Sequence, residues 1–195
     1  MVTERLAKLR ELMKKNKMDA YMIVTDDFHG SEYVGSHFKC RAFMSGFTGS
    51  AGTLVVTQDM AGLWTDGRYF LQAEKQLENT GIDLFKIGNP GVPTVHEFLI
   101  NKLEKDQTLG FDGRTVNARE ALSLKEDLSD KGAKVVSEID LVDEIWEDRP
   151  ALSKEPVTLL AEKYAGESRE SKIKRVRAVM EEKGADTFVL TSLDD

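Results

Sequence analysis

The sequence is poor in cysteine and in long apolar runs, and each shortage excludes a class of protein. Its one cysteine, Cys40, cannot form an internal disulfide, which excludes a disulfide-stapled secreted domain and favours a reducing compartment. No apolar run is long enough to cross a bilayer, and the charged opening MVTERLAKLRELMKK lacks the apolar stretch of a secretory signal. We therefore expect a cytoplasmic protein that has no membrane partner.

Basic residues are fewer than acidic ones. The 195 residues include 27 Lys and Arg against 34 Asp and Glu, which gives a net charge of -7 at pH 7. The basic residues are scattered among acidic ones, so no broad positive surface is expected for a phosphate backbone, and nucleic acid is not an expected partner. A hydrophobic content of 41% is enough to build a core, and the length allows one domain with an appendage or two small domains.

Apolar periodicity predicts alternating helices and strands in the first 150 residues. A helix capped by Thr3 and ending near Asn16 precedes the strand AYMIVT. The runs GTLVVT and AGLWTD flank a short polar turn and predict a hairpin, after which a helix is expected to begin at Gly67. Further strands are predicted at 82–87, 108–112 and 133–139, and further helices at 93–105, 118–130 and 141–146. The fold class is therefore predicted to be α/β, with a mixed sheet flanked by helices.

The composition changes after Trp146. The segment EDRPALSKEP carries two of the four prolines and no periodicity, which is typical of a linker. We predict a first domain over residues 1–150, a linker over 151–167 and a separate segment over 168–195. That segment should form a helix behind Ser168 or Ser171 that Gly184 closes, followed by the strand DTFVLTS.

The two ends of the chain resemble each other. Eight residues of the opening helix and strand fall at a constant offset onto residues of similar character near the end: Leu6, Leu9, Leu12, Met13, Asp19, Tyr21, Ile23 and Thr25 onto Ile173, Val176, Val179, Met180, Asp186, Phe188, Leu190 and Ser192. Any amphipathic helix followed by a strand gives a similar match. We favour a more specific interpretation: residues 168–195 are the truncated beginning of a second, related α/β domain, and the chain is a piece of a longer one.

Two loop segments contain residues that could carry chemistry. DDFHGSEYVGSHFKCR holds side chains of metal-binding type, but its glycines and serines indicate a flexible turn, so we expect solvated loop residues and no metal site. Cys40 within it is expected to be a semi-buried small residue rather than a nucleophile. FMSGFTGSAGT is followed by a strand, unlike a phosphate-binding loop, and predicts a tight turn in which backbone approaches a neighbouring strand or a ligand.

Arg68, in the stretch WTDGRYFLQA, is the most specific candidate for a functional residue. It is predicted to lie in the first turn of a helix, where the helix dipole favours anions and gives a cation no stabilisation. Arg68 should therefore have another partner. Either it pairs with Asp66 or another surface acid, or its guanidinium binds a carboxylate or a peptide carbonyl with two donors.

Three blocks carry a resemblance to a known family. SEYVGSHFKCRAFMSGFTGSAGT, LWTDGRYFLQAEKQL and LVDEIWEDRP, in this order and spacing, resemble the N-terminal domain of Xaa-Pro aminopeptidase (aminopeptidase P) of the long three-domain type. The resemblance implies a parent enzyme that removes the N-terminal residue preceding proline from short peptides. It uses a dinuclear metal centre, usually manganese, whose ligands lie in a C-terminal domain that this sequence lacks.

The resemblance therefore implies a non-catalytic fragment, inactive alone, with no catalytic residue, metal ligand or cofactor of its own. It implies that this domain supplies oligomer contacts, in a homodimer, and a wall over the active-site mouth, and that Arg68 contacts the peptide substrate. Two alternatives stay open at this point. The chain could be a stand-alone binding or scaffolding module, or the N-terminal domain of a creatinase-like or prolidase-like hydrolase.

Overall fold

A computed structural model describes residues 1–190 and divides the chain into two units, residues 1–152 and 153–195. In the first unit the strands are β1 (Ala20–Ile23), β2 (Thr53–Thr57), β3 (Ala61–Thr65), β4 (Asp83–Lys86), β5 (Thr108–Phe111) and β6 (Lys134–Val136). Its helices are α1 (Val2–Lys15), α2 (Cys40–Ser45), α3 (Phe70–Gln76), α4 (Val95–Lys102) and α5 (Ala118–Asp130), with a short 3-10 helix at Ser36–Phe38.

The six strands form one mixed sheet in the order β4-β3-β2-β1-β5-β6. β2 is antiparallel to both of its neighbours, whereas the pairs β3 with β4, β1 with β5 and β5 with β6 are parallel. Five strands therefore run in one direction and β2 runs against them. This arrangement confirms the predicted α/β fold with a mixed sheet, and the predicted hairpin is the pair β2–β3.

Helices cover both faces of the sheet, and each face has its own apolar core. Alternate residues of β1 point to opposite faces, so Tyr21 and Ile23 join one core and Ala20 and Met22 join the other. The first core also takes buried side chains from α1, α2, α3 and residues 141–145, and the second takes them from α4 and α5. The sheet is thus the middle layer of three.

Trp64 is the largest side chain that is fully buried, and it organises the second core. Its indole stacks on Phe85 of the neighbouring strand, with ring centroids 4.0 Å apart. Its ring N–H donates to the Pro93 carbonyl oxygen at 2.9 Å, which satisfies the one polar atom that burial would otherwise leave without a partner. Trp64 thereby joins β3 and β4 to the segment that leads into α4.

Helix ends follow local capping chemistry. Thr94 and Glu97 cap α4 reciprocally, because each side chain accepts a hydrogen bond from the other's backbone N–H, at 3.1 and 2.8 Å. α5 begins behind Asn117, as its predicted range requires. The predicted cap of α1 is wrong: this helix begins at Val2, one residue before Thr3, and the N-terminal ammonium pairs with the Glu4 carboxylate at 2.6 Å.

The predicted helix over residues 141–146 is also wrong. Leu141, Val142 and Ile145 are buried, and their spacing imitates the apolar face of a helix. The structure instead has consecutive turns, in which the Tyr21 hydroxyl accepts from the Leu141 N–H at 3.1 Å and an Asp140 carboxylate oxygen accepts from the Val142 N–H. The Ile145 and Trp146 N–H groups both donate to the Val142 carbonyl oxygen, at 3.0 and 2.9 Å, which closes turns that do not continue as a helix.

The second unit contains α6 (Glu162–Ala165) and α7 (Arg169–Lys183). The Ser168 side chain caps α7 by accepting from the Ser171 N–H, and Gly184 ends it in a left-handed conformation with φ of 64°, as predicted. The strand predicted from Asp186 is absent at 187–190, because residues 153–190 contain no strand with which it could pair. The rest of that predicted strand lies outside the described residues.

The helices described within residues 1–190 are all too short or too polar to cross a membrane.

His96 links α4 to α5 and should make stability depend on pH. Its ring nitrogens lie 2.7 Å from an Asp127 carboxylate oxygen and 3.3 Å from one of Glu120. Partial burial disfavours the imidazolium, but the hydrogen bonds to the two carboxylates outweigh it and raise the pKa of His96 above its ordinary value.

A raised pKa in the folded state means that the stabilisation is complete below the unfolded-state pKa and is lost as pH rises through the folded-state pKa. We expect His96→Gln to lower the free energy of unfolding by about 0.5 kcal/mol at pH 5.5 and by less at pH 8.5, measured by urea denaturation. An equal effect at both pH values would contradict this interpretation.

Candidate functional site

The carboxyl ends of five strands and the beginning of β2 meet at one edge of the sheet. In open α/β sheets this edge is the usual location of ligand sites. The candidate residues named from the sequence lie in the turns along it: Arg68 follows β3, and the Gly-rich turn FMSGFTGSAGT leads into β2. The topology therefore brings together two segments that were identified separately.

Arg68 is held by Asp66 in a bidentate ion pair. Its Nε and Nη2 donate to the two carboxylate oxygens at 2.9 and 2.8 Å, and its backbone N–H donates to the Asp66 Oδ1 atom at 3.0 Å. The hydrogen bonds from Arg68 lower the pKa of Asp66 to about 2. Of the two partners considered from the sequence, the structure contains the acid at Asp66; a peptide contact stays a prediction.

The position of Arg68 differs from the predicted one. α3 begins at Phe70 with Tyr69 as its N-cap, so Arg68 lies in the preceding turn rather than in the first turn of the helix. Its side chain is 67% exposed, and two of its five N–H donors are used by Asp66. The other three donors are available for a ligand.

A second turn of the same sequence and geometry provides a comparison. Asp112, Gly113 and Arg114 follow β5 as Asp66, Gly67 and Arg68 follow β3, and Arg114 binds Asp112 through the same three kinds of bond, from its backbone N–H, Nε and Nη2. Arg114 also donates to Asp140 at 2.9 Å. The repeated Asp-Gly-Arg sequence was a signal that the sequence interpretation missed.

The Gly-rich turn is built around a buried arginine that sequence reasoning also missed. Arg41 is 3% exposed, and its two terminal nitrogens donate to the carbonyl oxygens of Phe47 and Gly49. Its Nε donates to the Thr25 hydroxyl at 2.9 Å, and its guanidinium lies 4.8 Å from the centre of the Phe47 ring. One side chain thus ties the turn to the end of β1.

Close packing explains the glycines of this turn. A Cβ atom at Gly49 would lie 2.3 Å from the Phe47 ring and 2.8 Å from the Tyr69 ring, and one at Gly52 would lie 3.0 Å from the Trp64 carbonyl oxygen. The neighbours that the backbone approaches are therefore an adjacent strand and two aromatic rings of the same chain.

Polar contacts connect the Gly-rich turn to the Arg68 turn. The hydroxyls of Ser50 and Tyr69 are 2.7 Å apart. The Thr48 backbone N–H donates to the Gln76 side-chain oxygen at 3.0 Å, and the Thr48 hydroxyl accepts from Gln72 at 3.0 Å. These hydrogen bonds place the two turns next to each other.

The acidic and histidine residues of the loop after β1 make local contacts and do not share one site. A carboxylate oxygen of Asp27 accepts from the His29 backbone N–H at 2.8 Å, and the His37 Nδ1 lies 2.8 Å from the Pro150 carbonyl oxygen. Within residues 1–190, no three side chains of His, Cys, Asp or Glu lie close enough to share a metal ion. Asp26, Asp27, His29, Glu32 and His37 do not converge on a common point.

Cys40 is buried, and burial raises the pKa of its thiol to about 12 although the Arg149 guanidinium donates to its sulfur at 3.1 Å. A thiol with this pKa is protonated at neutral pH, so it is a poor nucleophile. This agrees with the expected packing role.

Comparison with known proteins places this architecture in a family. Residues 5–145 match the family model described as the creatinase/prolidase N-terminal domain. The chain belongs to this family. A second family model with the same description matches residues 148–195.

Among its relatives are proteins named as Xaa-Pro aminopeptidases. The chain is 47% identical over 195 residues to "Probable Xaa-Pro aminopeptidase P" of Laccaria bicolor and 44% identical over 196 residues to the protein of the same name from Tuber melanosporum. Both alignments cover 99% of the chain. The resemblance indicated by the three sequence blocks is confirmed.

A solved relative has the same fold. The X-prolyl aminopeptidase from Caenorhabditis elegans, described as a cytosolic enzyme with a dinuclear active site, superimposes with a TM-score of 0.84 at 36% identity over 95% of the chain. The chain spans 30%, 32% and 32% of the lengths of these three relatives. The similarity therefore concerns about a third of each of them.

Arg41 should be a large contributor to the stability of the first unit. Arg41→Ala removes three hydrogen bonds and leaves two carbonyl oxygens in a buried turn without their donor, so we expect a loss of about 3 kcal/mol in the free energy of unfolding. Arg119→Ala is the matched control, because the Arg119 side chain is exposed and should contribute less than about 0.5 kcal/mol. Similar losses for the two variants, by chemical denaturation, would show that the buried guanidinium is not stabilising.

Proposed function

We propose that this chain is the non-catalytic N-terminal part of an Xaa-Pro aminopeptidase. Its parent would remove the N-terminal residue that precedes proline from short peptides, by dinuclear-metal hydrolysis with manganese. Family membership and the identity to Xaa-Pro aminopeptidases support the proposal. From the family resemblance, we assign the dinuclear centre to a C-terminal part of the parent outside this chain. There the metals would polarise the scissile carbonyl and activate water.

Within the parent, Arg68 would contact the peptide substrate. The observation that carries this proposal is the exposed guanidinium held in one orientation by Asp66, with three N–H donors left over. A positioned guanidinium binds a carbonyl or carboxylate with less loss of side-chain entropy than a free one. Arg114 lies in the same kind of turn but also donates a hydrogen bond to Asp140, so Arg68 is the better candidate for a substrate contact.

Residues 168–195 would begin a second, related domain, after a first domain over 1–150 and a linker over 151–167. The second match to a creatinase/prolidase N-terminal model and the constant offset between the two ends support this division. The helix α7 also exposes apolar side chains at Ile173, Val176 and Val179 within the described part of the second unit. An apolar helix face of this kind normally packs on a sheet.

The parent would be a cytoplasmic homodimer in which this domain supplies oligomer contacts and restricts access to the active site. The description of the Caenorhabditis elegans relative as a cytosolic enzyme supports the location. The oligomer contacts and the access role are proposed from the family resemblance.

We expect Arg68→Ala in the full-length parent to lower kcat/KM for a Xaa-Pro peptide by about tenfold to a hundredfold, because a charge-assisted contact with the peptide is lost. Its melting temperature should change little, since an exposed ion pair contributes little to stability. Steady-state kinetics and thermal denaturation measure the two effects.

Arg114→Ala is the matched control, because it removes an arginine from the same kind of turn at the same edge of the sheet. It should lower the melting temperature and leave kcat/KM within about twofold. Equal kinetic losses in both variants, or none in Arg68→Ala, would refute the substrate contact.

The proposed boundary can be tested on the 195-residue chain. Residues 151–161 have no regular structure and are exposed, so we expect limited proteolysis to cut between Pro150 and Gly166 and to leave a resistant fragment of about the first 150 residues. Resistance throughout this segment would favour a stand-alone module. Xaa-Pro hydrolysis by the purified chain with added manganese would contradict a non-catalytic role.

A further inference from the structure

A cleft at the sheet edge beside Arg68 has not been assigned a role. It encloses about 350 Å³ between the loop after β1, the helix α2 and the Gly-rich turn. Its walls include the apolar side chains of Val24, Val34, Phe38 and Ala42. This volume lies at the lower end of the range of small-molecule sites, so the cleft would admit a small group rather than a folded element.

Arg41 is the buried one of the three charged residues that line the cleft, with 3% of its surface exposed. Burial lowers the pKa of Arg41 to about 10, so the guanidinium stays charged at neutral pH. Its partners in the described chain are two carbonyl oxygens and one hydroxyl, and it takes part in no ion pair among residues 1–190. A buried cation without a counter-charge is costly, and an incoming anion would relieve that cost.

Two donors of Arg41 remain for such an anion, because three of its five N–H groups are used by the protein. Lys39 and Glu32 also line the cleft with opposite charges. Counting Arg41, Lys39 and Glu32, the lining carries a net charge of +1, so it favours a single negative charge. The apolar walls favour a hydrophobic group next to that charge.

The cleft adjoins the proposed substrate contact. The Tyr69 hydroxyl lies 2.7 Å from the Ser50 hydroxyl, Ser50 lines the cleft, and the Arg68 guanidinium is 5.2 Å from the centre of the Tyr69 ring. A short peptide that contacts Arg68 could therefore extend past Tyr69 into the cleft.

We propose that the cleft binds the C-terminal residue of a short peptide, with the free carboxylate toward Arg41 and the apolar side chain against Val34 and Phe38. The inference rests on the proposed function, because it extends the peptide contact from Arg68. It assigns this domain a preference for peptides with a free carboxyl end.

The test uses the 195-residue chain, labelled with ¹⁵N, and two probes that differ in one group: the tripeptide alanyl-prolyl-leucine and its C-terminal amide. The free acid should shift the backbone amide signals of Thr48, Gly49 and Ser50 and bind about tenfold more tightly than the amide, because a charge-assisted contact is lost in the amide. Replacing Ala42, in the wall of the cleft, by Leu should abolish this difference without removing Arg41.

Ala7→Leu is the matched control, because it makes the same chemical change on an exposed face of α1 and should leave the tenfold difference intact. Equal binding of acid and amide, no binding of the acid, or signal shifts confined to residues away from the cleft would each overturn the inference.

Arg68→Ala separates this inference from the proposed function. This substitution should weaken binding of the acid and of the amide by the same factor, because the Arg68 side chain does not contact the terminal group of the peptide. If acid and amide bind equally to the unmodified chain and Arg68→Ala weakens both, the carboxylate cleft is refuted while the peptide contact at Arg68 stands.

Discussion

A guanidinium buried beside the sheet edge holds together segments that lie far apart along the backbone. Arg41 leaves α2 and reaches the Thr25 hydroxyl just past β1 and two carbonyl groups of the Gly-rich turn. The Gly-rich turn also forms hydrogen bonds with Tyr69 and Gln76, which follow the Arg68 turn. The geometry of the candidate site therefore depends on a charge in the protein interior, and proteins retain such groups only when hydrogen bonds compensate their desolvation.

The two Asp-Gly-Arg turns show how one local structure can have two uses. In both, the aspartate follows a strand directly and accepts from the backbone and side chain of the arginine two residues later. The turn alone accounts for the arginine, so the motif by itself does not indicate a ligand. The surroundings of the turn distinguish the two arginines. Arg114 binds Asp140, which also pairs with the buried Arg149, whereas the Arg68 side chain is more exposed.

Sequence reasoning succeeded where structure is determined by near neighbours. The limits of α5 and the hairpin β2–β3 follow from capping, periodicity and turn chemistry, and both were predicted. α2 was missed because its six residues stand next to a glycine-rich turn and are too few to show a period. Residues 141–146 were assigned to a helix because the buried residues Leu141, Val142 and Ile145 recur there at helical spacing.

The candidate site was predictable to a similar extent. Arg68 could be selected because a cation near a helix N-terminus needs a partner, and its partner was among those expected. The role of Arg41 could not be predicted, because its acceptors are backbone carbonyls, whose availability depends on the conformation of the turn rather than on residue type. The cleft has the same origin, since its walls come from segments that only the fold brings together.

The two tryptophans occupy opposite sides of the sheet. Trp64 lies in the core beneath α4 and α5, whereas Trp146 stacks on Phe43, with ring centroids 4.4 Å apart, against the core beneath α1. Intrinsic fluorescence therefore reports on both layers at once without an added label. Two variants, each retaining one of the tryptophans, would report on the layers separately, and coincident transitions would identify the first unit as a single cooperative folding unit.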